Sequence, residues 1–274
     1  MVTPAERREM VSYAEKVHKL SERHVCRIFE FPRSTKRYEP GPDHNVEIKA
    51  RILYWAEKRP RYGSPRIHEM VKRDGFLVNH KRTERLYDLL GLALKRKKKK
   101  RRYKAELRVP LNSPCRKSEV WSMDFISDSL ASGKKMRGLN IIDMFTRECV
   151  AIEIGQNLTG FIVVQVLERV TMMEGKPAVI TVDNGPEFIC MALDKWAYAN
   201  GVKLQFSRPG KPTDNCYIES FNGKFRDECL EANWFLDIDH AKRIAEQWRH
   251  EYNEERPHSS LDQLTPREFA AKVA

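Results

Sequence analysis

Three acidic residues stand where their surroundings would let a carboxylate do chemistry. Asp183 closes the apolar run Ala178-Val179-Ile180-Thr181-Val182 and precedes the turn pair Asn184-Gly185. Functional groups in α/β folds gather at the carboxyl ends of such strands. Asp124 falls on the polar side of a segment in which apolar Trp121, Met123 and Phe125 alternate with Ser122 and Asp124. Glu219 follows a stretch of breakers, Pro209-Gly210-Lys211-Pro212, in a helix expected from near Asp214. There Ile218, Phe221 and Phe225 form an apolar stripe, with Glu219, Asn222 and Arg226 as a polar stripe beside it. Carboxylates converging from strand, strand and helix make a hard-oxygen site suited to Mg²⁺ or Mn²⁺. Two such ions about 3.5–4 Å apart can activate a water or a 3′-hydroxyl and stabilise the leaving oxygen of an in-line phosphoryl displacement. No side-chain nucleophile is needed, and the Arg226 guanidinium, two turns beyond Glu219, is placed to hold a phosphate.

The elements that must position these groups form an α/β layer. From Val120 the alternation predicts a strand with a buried apolar face and an exposed polar one. Leu139–Ile142 and Cys149–Ile154 read as two more strands, joined through a bend at Asp143, a turn residue rather than a ligand. A helix over 160–173, the strand 178–182 and further helices complete a mixed sheet with helices. Trp234, Trp248 and Tyr252 share a helical spacing and read as core.

The preceding half is different in kind. The chain carries 50 Lys and Arg against 38 acids, a net charge of +12, very unevenly placed. Residues 1–118 hold 32 Lys and Arg against 14 acids, whereas 119–274 hold 18 against 24. A basic half of this kind points to a polyanion such as double-stranded DNA. Residues 1–40 read as a helix-turn-helix-like segment, with Ser21 as a cap and a turn at Phe31-Pro32. Pro40-Gly41-Pro42 breaks it from a second helical module, 41–94. In that module Arg61 opens one helix, and Lys81, Arg82 and Arg85 give another a basic outer face suited to DNA. Lys95 to Arg102 is an unbroken run of positive charge containing Lys97, Lys98, Arg101 and Arg102. Its self-repulsion predicts an extended, DNA-clamping linker over 95–118 before a core at 119–274.

Six cysteines lie far apart without a C-x-x-C pair, which fits reduced thiols. His18, His24 and Cys26 lack the second ligand pair of a zinc finger. No apolar run reaches the roughly 18–20 residues of a membrane helix, and charges throughout the first thirty residues exclude a signal-peptide core. The protein is expected to stay in the cytoplasm.

Local sequences, more than spacing, carry the functional reading. Trp121-Ser122-Met123-Asp124, Thr181-Val182-Asp183-Asn184-Gly185-Pro186-Glu187-Phe188 and the stretch from Gly210 through Glu219 to Arg226 resemble the three core motifs of DDE transposases and integrases. Arg61-Tyr62-Gly63-Ser64-Pro65-Arg66-Ile67, Val78-Asn79-His80-Lys81-Arg82 and Tyr252 through Leu261 extend the resemblance over nearly the whole chain, to OrfB-type transposases of bacterial insertion-sequence family three. The resemblance implies an RNase H-like, integrase-type catalytic core preceded by all-α DNA-binding modules. It implies Mg²⁺ (or Mn²⁺) dependence, with Asp124, Asp183 and Glu219 as catalytic and metal-binding triad and Arg226 as the basic residue after the glutamate. It also implies homo-multimers acting on transposon ends and target DNA, near the nucleoid. An upstream-frame subunit is expected as partner, because no long leucine heptad is visible. Lys211, Asn222 and Arg226 join the arginines and lysines above as expected DNA contacts. Glu187, beside Asp183, is expected to point away, and His258 reads equally as a DNA contact or a structural hydrogen-bonder. A DNA-binding regulator without catalysis and a metal-dependent RNase H-type nuclease are the alternatives.

Overall fold

A computed structural model describes residues 3–39, 41–93, 114–208 and 215–273. Lys97, Lys98, Arg101, Arg102 and Lys211, and the expected linker up to residue 113, lie outside them. The chain forms two compact units, 1–50 and 51–274. In the first, α1 (Pro4–His18) starts at a capping box in which the Thr3 and Glu6 side chains satisfy each other's backbone N–H groups. α2 (Glu22–Ile28) is capped by Ser21, as its sequence predicts, while α3 (Arg33–Lys36) is only one turn. Val11, Val25, Cys26 and Phe31 make its small core. α4 (Val46–Lys58) crosses the boundary between the units.

The second unit contains α5 (Ser64–Arg73) and α6 (His80–Leu89), then a sheet with its covering helices. Ile67, Met70 and Val71 are buried on α5, and Thr83, Leu86 and Tyr87 on α6. Asn79 caps α6 through the N–H of Lys81. The sheet comprises β1 (Val120–Ser129), β2 (Lys135–Asp143), β3 (Cys149–Gly155), β4 (Val179–Val182) and β5 (Lys203–Phe206), in the order β3-β2-β1-β4-β5. β1, β2 and β3 pair antiparallel as a meander, and β4 and β5 add in parallel on the far side of β1. β1 is thus central. The helices are α7 (Gly160–Glu174), α8 (Met191–Asn200), α9 (Cys216–Phe225), α10 (Ile238–Glu254) and α11 (Pro266–Val273).

Period-two alternation sends the apolar residues of each strand to opposite faces. Trp121, Met123, Leu139, Ile141, Ile180 and Val182 pack with Val163, Leu167, Phe188 and Trp196 of the α7 and α8 layer. On the other face Ile126, Ile142 and Ile154 pack with Ile218 and Phe221 of α9 and with Trp248 and Tyr252 of α10. This second cover corrects one expectation. Ser122, predicted on an exposed polar face, is only 1% exposed, because helices occupy both sides of the sheet. Trp234 corrects another: it is 82% exposed and precedes α10, whereas Trp248 and Tyr252 are buried in it. Asp143 is a turn residue: its carboxylate accepts from the N–H groups of Phe145 and Thr146 (2.8 Å each) and of Ser118 (2.7 Å).

Phe221 holds α9 in place. Its ring lies 5.0 Å from that of Tyr252 and 5.6 Å from that of Trp248, both edge-on. Phe221→Ala should lower unfolding free energy by about 3–5 kcal/mol, as cavity-forming aromatic truncations do. Urea denaturation checks this; a loss below about 1 kcal/mol would mean α9 is not anchored there.

Candidate active site

Asp124 lies on the β1 face covered by α9, and its position follows from strand register. β1 pairs with β4 in parallel, Ser122 opposite Thr181. Two residues further on, the same offset sets Asp124 level with Asp183, just past the end of β4, and paired positions share a face. Glu219 rides on α9, which the Phe221 and Phe225 stripe presses onto that face. The three carboxylates feel one another. Burial, aided by the charges of Asp183 and Glu219, lifts the Asp124 carboxyl to about 6, although the Phe125 N–H and the Asn222 amide pull it down.

Hydrogen bonds fix the orientation of two of the groups. Asp124 Oδ1 accepts from the N–H of Phe125 at 2.8 Å, and Oδ2 accepts from Nδ2 of Asn222 at 2.9 Å. Asn222 Oδ1 accepts in turn from Nδ2 of Asn140 at 2.7 Å. Asn140 is fully buried on β2, directly opposite Asp124. Sequence reasoning missed it, although a lone amide between Leu139 and Ile141 in an apolar strand is a visible signal. Asp183 Oδ1 accepts from the N–H of Gly185 at 2.9 Å. A Cβ at Gly185 would meet that oxygen at 3.0 Å, so a larger residue would push the Asp183 carboxylate aside by a few tenths of an ångström. Glu219 is exposed. Glu187 gives its carboxylate to Arg137, whose hydrogen bond holds it below the usual range.

The expected DNA contacts are scattered. Asn222 belongs to the carboxylate cluster through Asp124. Arg226 is exposed, just past α9 where residues 226–230 wind as a π-helical turn, and donates to the Ser127 carbonyl at 3.2 Å. That wide turn departs from the straight helix on which a Glu219–Asn222–Arg226 stripe was drawn. Lys81 and Arg85 are exposed on α6, with Arg82 half-buried between them, and Arg61 pairs with Asp227 at 3.4 Å. His258 is buried rather than on the surface.

This sheet order and site define the integrase-core class of RNase H-like α/β enzymes. Residues 115–212 and 200–266 match the family "Integrase core domain", and 44–100 match "HTH-like domain". A chain of the simian T-cell lymphotropic virus intasome structure, in complex with the PP2A regulatory subunit B56 gamma, shares the fold (TM-score 0.51, 14% identity, 80% of this chain and 74% of that one). The Burkholderia multivorans insertion element IS407 31.7 kDa protein is 46% identical over 96% of this chain and 95% of its own. The Xanthomonas euvesicatoria insertion element IS476 39.2 kDa protein is 36% identical over 98% of this chain and 78% of its own. The Escherichia coli putative transposase InsK of IS150 is 28% identical over 89% and 92%. The chain belongs to this family of insertion-element transposases, insertion-sequence family three. Its members are enzymes that cleave and join DNA strands.

Integrase cores work with a divalent metal. The donor set here suits one: all three groups are hard oxygens, and the buried Asp124 also feels the charges of Asp183 and Glu219, which a cation would offset. Among the described residues no three His, Cys, Asp or Glu side chains stand at ligand spacing. Also among them, no helix is long and apolar enough to cross a membrane.

The sign of the Asp124 shift gives a test. Its folded pKa lies above the ordinary 3.8, so the carboxyl is without penalty below about pH 4. Stability is then lost as pH rises through about 6. Asp124→Asn removes the charge and, with one acceptor oxygen in place of two, keeps one of the two hydrogen bonds that Asn222 Nδ2 and the Phe125 N–H donate to Asp124. It should stabilise metal-free protein near neutral pH, by on the order of 1 kcal/mol after solvent screening, and have little effect at about pH 4. Equal effects in thermal melts at the two pH values would show that Asp124 carries no charge penalty.

Proposed function

We propose that the chain cleaves DNA at insertion-sequence ends and joins the freed 3′-ends to target DNA, with Asp124, Asp183 and Glu219 as its catalytic carboxylates. The observation that carries this reading is the placement of three carboxylates, on β1, at the end of β4 and on α9, where the register sets Asp124 level with Asp183 and the charges of Asp183 and Glu219 reach the buried Asp124. The three would hold divalent metal, Mg²⁺ or Mn²⁺ and two ions on this reading, which when bound supplies an acidified attacking hydroxyl and charge relief for the leaving oxygen.

The side chains divide the remaining work. Asn222, held by Asn140, fixes the Asp124 carboxylate in one orientation. The Gly185 N–H does the same for one oxygen of Asp183 and leaves the other available. Glu219, exposed at the rim, completes the set from the side on which DNA enters. Arg226 and the basic face of α6, with Lys81, Arg82 and Arg85, grip duplex backbone, as do Lys97, Lys98, Arg101, Arg102 and Lys211. We assign residues 1–40 and 41–94 to DNA recognition, 95–118 to the link and 119–274 to catalysis. The chain acts on transposon ends as a homo-multimer, joined by an upstream-frame subunit, at the nucleoid.

Asp124→Asn, Asp183→Asn and Glu219→Gln should each reduce metal-dependent nicking and joining of labelled insertion-sequence ends by at least a thousandfold, on the order of a lost electrostatic catalytic group. Gel-shift affinity should be kept or slightly improved. Glu187→Gln, whose wild-type partner is Arg137, should retain cleavage. A folded Glu219→Gln protein that cuts at the wild-type rate would refute the triad. Nicking without joining in the wild type would favour the nuclease reading, and binding without either reaction the regulator.

A further inference from the structure

A second polar cleft lies on another side of α9, outside the carboxylate site. Lys224 is five residues beyond Glu219, roughly 140° further round the helix. It lines this cleft together with Arg61, Arg66, Arg256, His258 and Ser259. The walls come from three places: the start of α5, α9 and the segment 256–260. Among the described residues that line it there is no acid.

The charge within it is only partly compensated. Arg256, 2% exposed, is held by Glu228 through hydrogen bonds of 2.6 and 2.9 Å. The same carboxylate is 3.4 Å from Arg66. The Lys224 ammonium has no ion pair or hydrogen bond among the described residues. Burial and the charges of Arg256 and Arg66 pull Lys224 down to about 8. His258 is 4% exposed, and its Nε2 has no hydrogen-bond partner among the described residues. Burial and the same cations keep the ring neutral, with a pKa of about 2. A buried ring nitrogen without a partner is costly unless something from outside meets it. In addition, α5 starts at the cleft from Gly63, which supplies no side-chain cap, so the positive end of its dipole adds to the field.

We propose that this cleft is a phosphate site, separate from the carboxylates, that grips one backbone phosphate of bound DNA. Donors converging from three elements suit a tetrahedral oxyanion better than a flat carboxylate: an ammonium, a guanidinium and a hydroxyl, joined by the imidazole in the tautomer that carries its proton on Nε2. Arg61, Ser259 and Ser260 are exposed at the rim, so a phosphate can enter while still part of its strand. The choice of DNA rests on the strand-transfer reading above; the anion site itself does not.

The full-length protein and its Lys224→Gln variant are titrated with a short duplex in EDTA over a range of salt. The variant should bind about tenfold more weakly at low salt, and the slope of log affinity against log salt should fall by about one. Inorganic phosphate, against chloride at matched ionic strength, should raise the melting temperature of the wild type and not of the variant. Without phosphate the variant should melt no lower than the wild type, since a repelled buried charge is gone. In the wild type, duplex should slow acetylation of Lys224, a readout independent of how the variant folds. Unchanged affinity and slope, or an unprotected Lys224, would overturn the proposal. So would a phosphate response with no change in duplex binding, which would leave a free-anion site. Altered self-association with duplex binding intact would also overturn it, assigning the cleft to an acidic side chain of a second copy. Because binding is read without metal, Asp124→Asn protein should give the same results. Failure of the triad and failure of this site are therefore distinguishable.

Discussion

Setting three carboxylates on elements that face one another across a largely buried strand is uphill, and the core fixes the elements that carry them. Asp124 and Asp183 are set side by side by the parallel register of β1 and β4, which a slip of one residue would destroy by turning Asp124 toward α7 and α8. That slip is blocked because Trp121 and Met123 fill one face while Ile126 fills the other. α9 is clamped by Phe221 and Phe225 against Trp248 and Tyr252. Apolar burial on both faces thus holds Asp124 in place, and that same burial, aided by the charges of Asp183 and Glu219, raises its carboxyl.

Much of this was legible in the chain. Asp183 after an apolar strand, Asp124 on a polar parity and Glu219 beside an apolar helical stripe are local patterns, and the structure puts each on its expected element. What was not legible depends on contacts distant in sequence. β5 (Lys203–Phe206) is short and mostly exposed, with no alternation to mark it, and forms because β4 offers a free edge. Ser122 is polar yet buried because α9 and α10 cover a face that β1 alone cannot show to be covered. Asn140 is seen as part of the site only when its opposition to Asp124 is known. Trp234 matches the spacing of Trp248 and Tyr252, but no helix joins them, since Asp237 caps α10 only three residues later. Periodicity reports what a helix would bury, not where the helix begins.

The acidic excess of the C-terminal half finds an internal use. Arg59 bonds Glu251 and Glu255 at 2.6 and 2.7 Å, and Arg73 bonds Glu268 at 2.7 Å. With Arg66 and Arg256 sharing Glu228, these pairs join the helices before residue 93 to those after residue 215. The Arg73 pair is exposed and contributes little energy, while the half-buried Arg59 and buried Arg256 pairs lose much of their attraction to desolvation, so all act mainly to select the docking orientation. Their effect on the charge map is larger, because they neutralise arginines that a count along the sequence assigns to DNA.

Beside these pairs, two groups of like charge stand out among the described residues, on different sides of α9. One is negative, where Glu219 and Asp183 repel Asp124; the other is positive, where Lys224 faces Arg66 and Arg256. The first takes a divalent cation and the second an oxyanion, and a metal-dependent DNA-joining enzyme meets both in one substrate complex. On that reading α9 is the rigid bar between grip and chemistry. A phosphate seated at Lys224 would fix the helix that carries Glu219, so losses at the anion cleft should reach strand joining through positioning rather than through metal affinity.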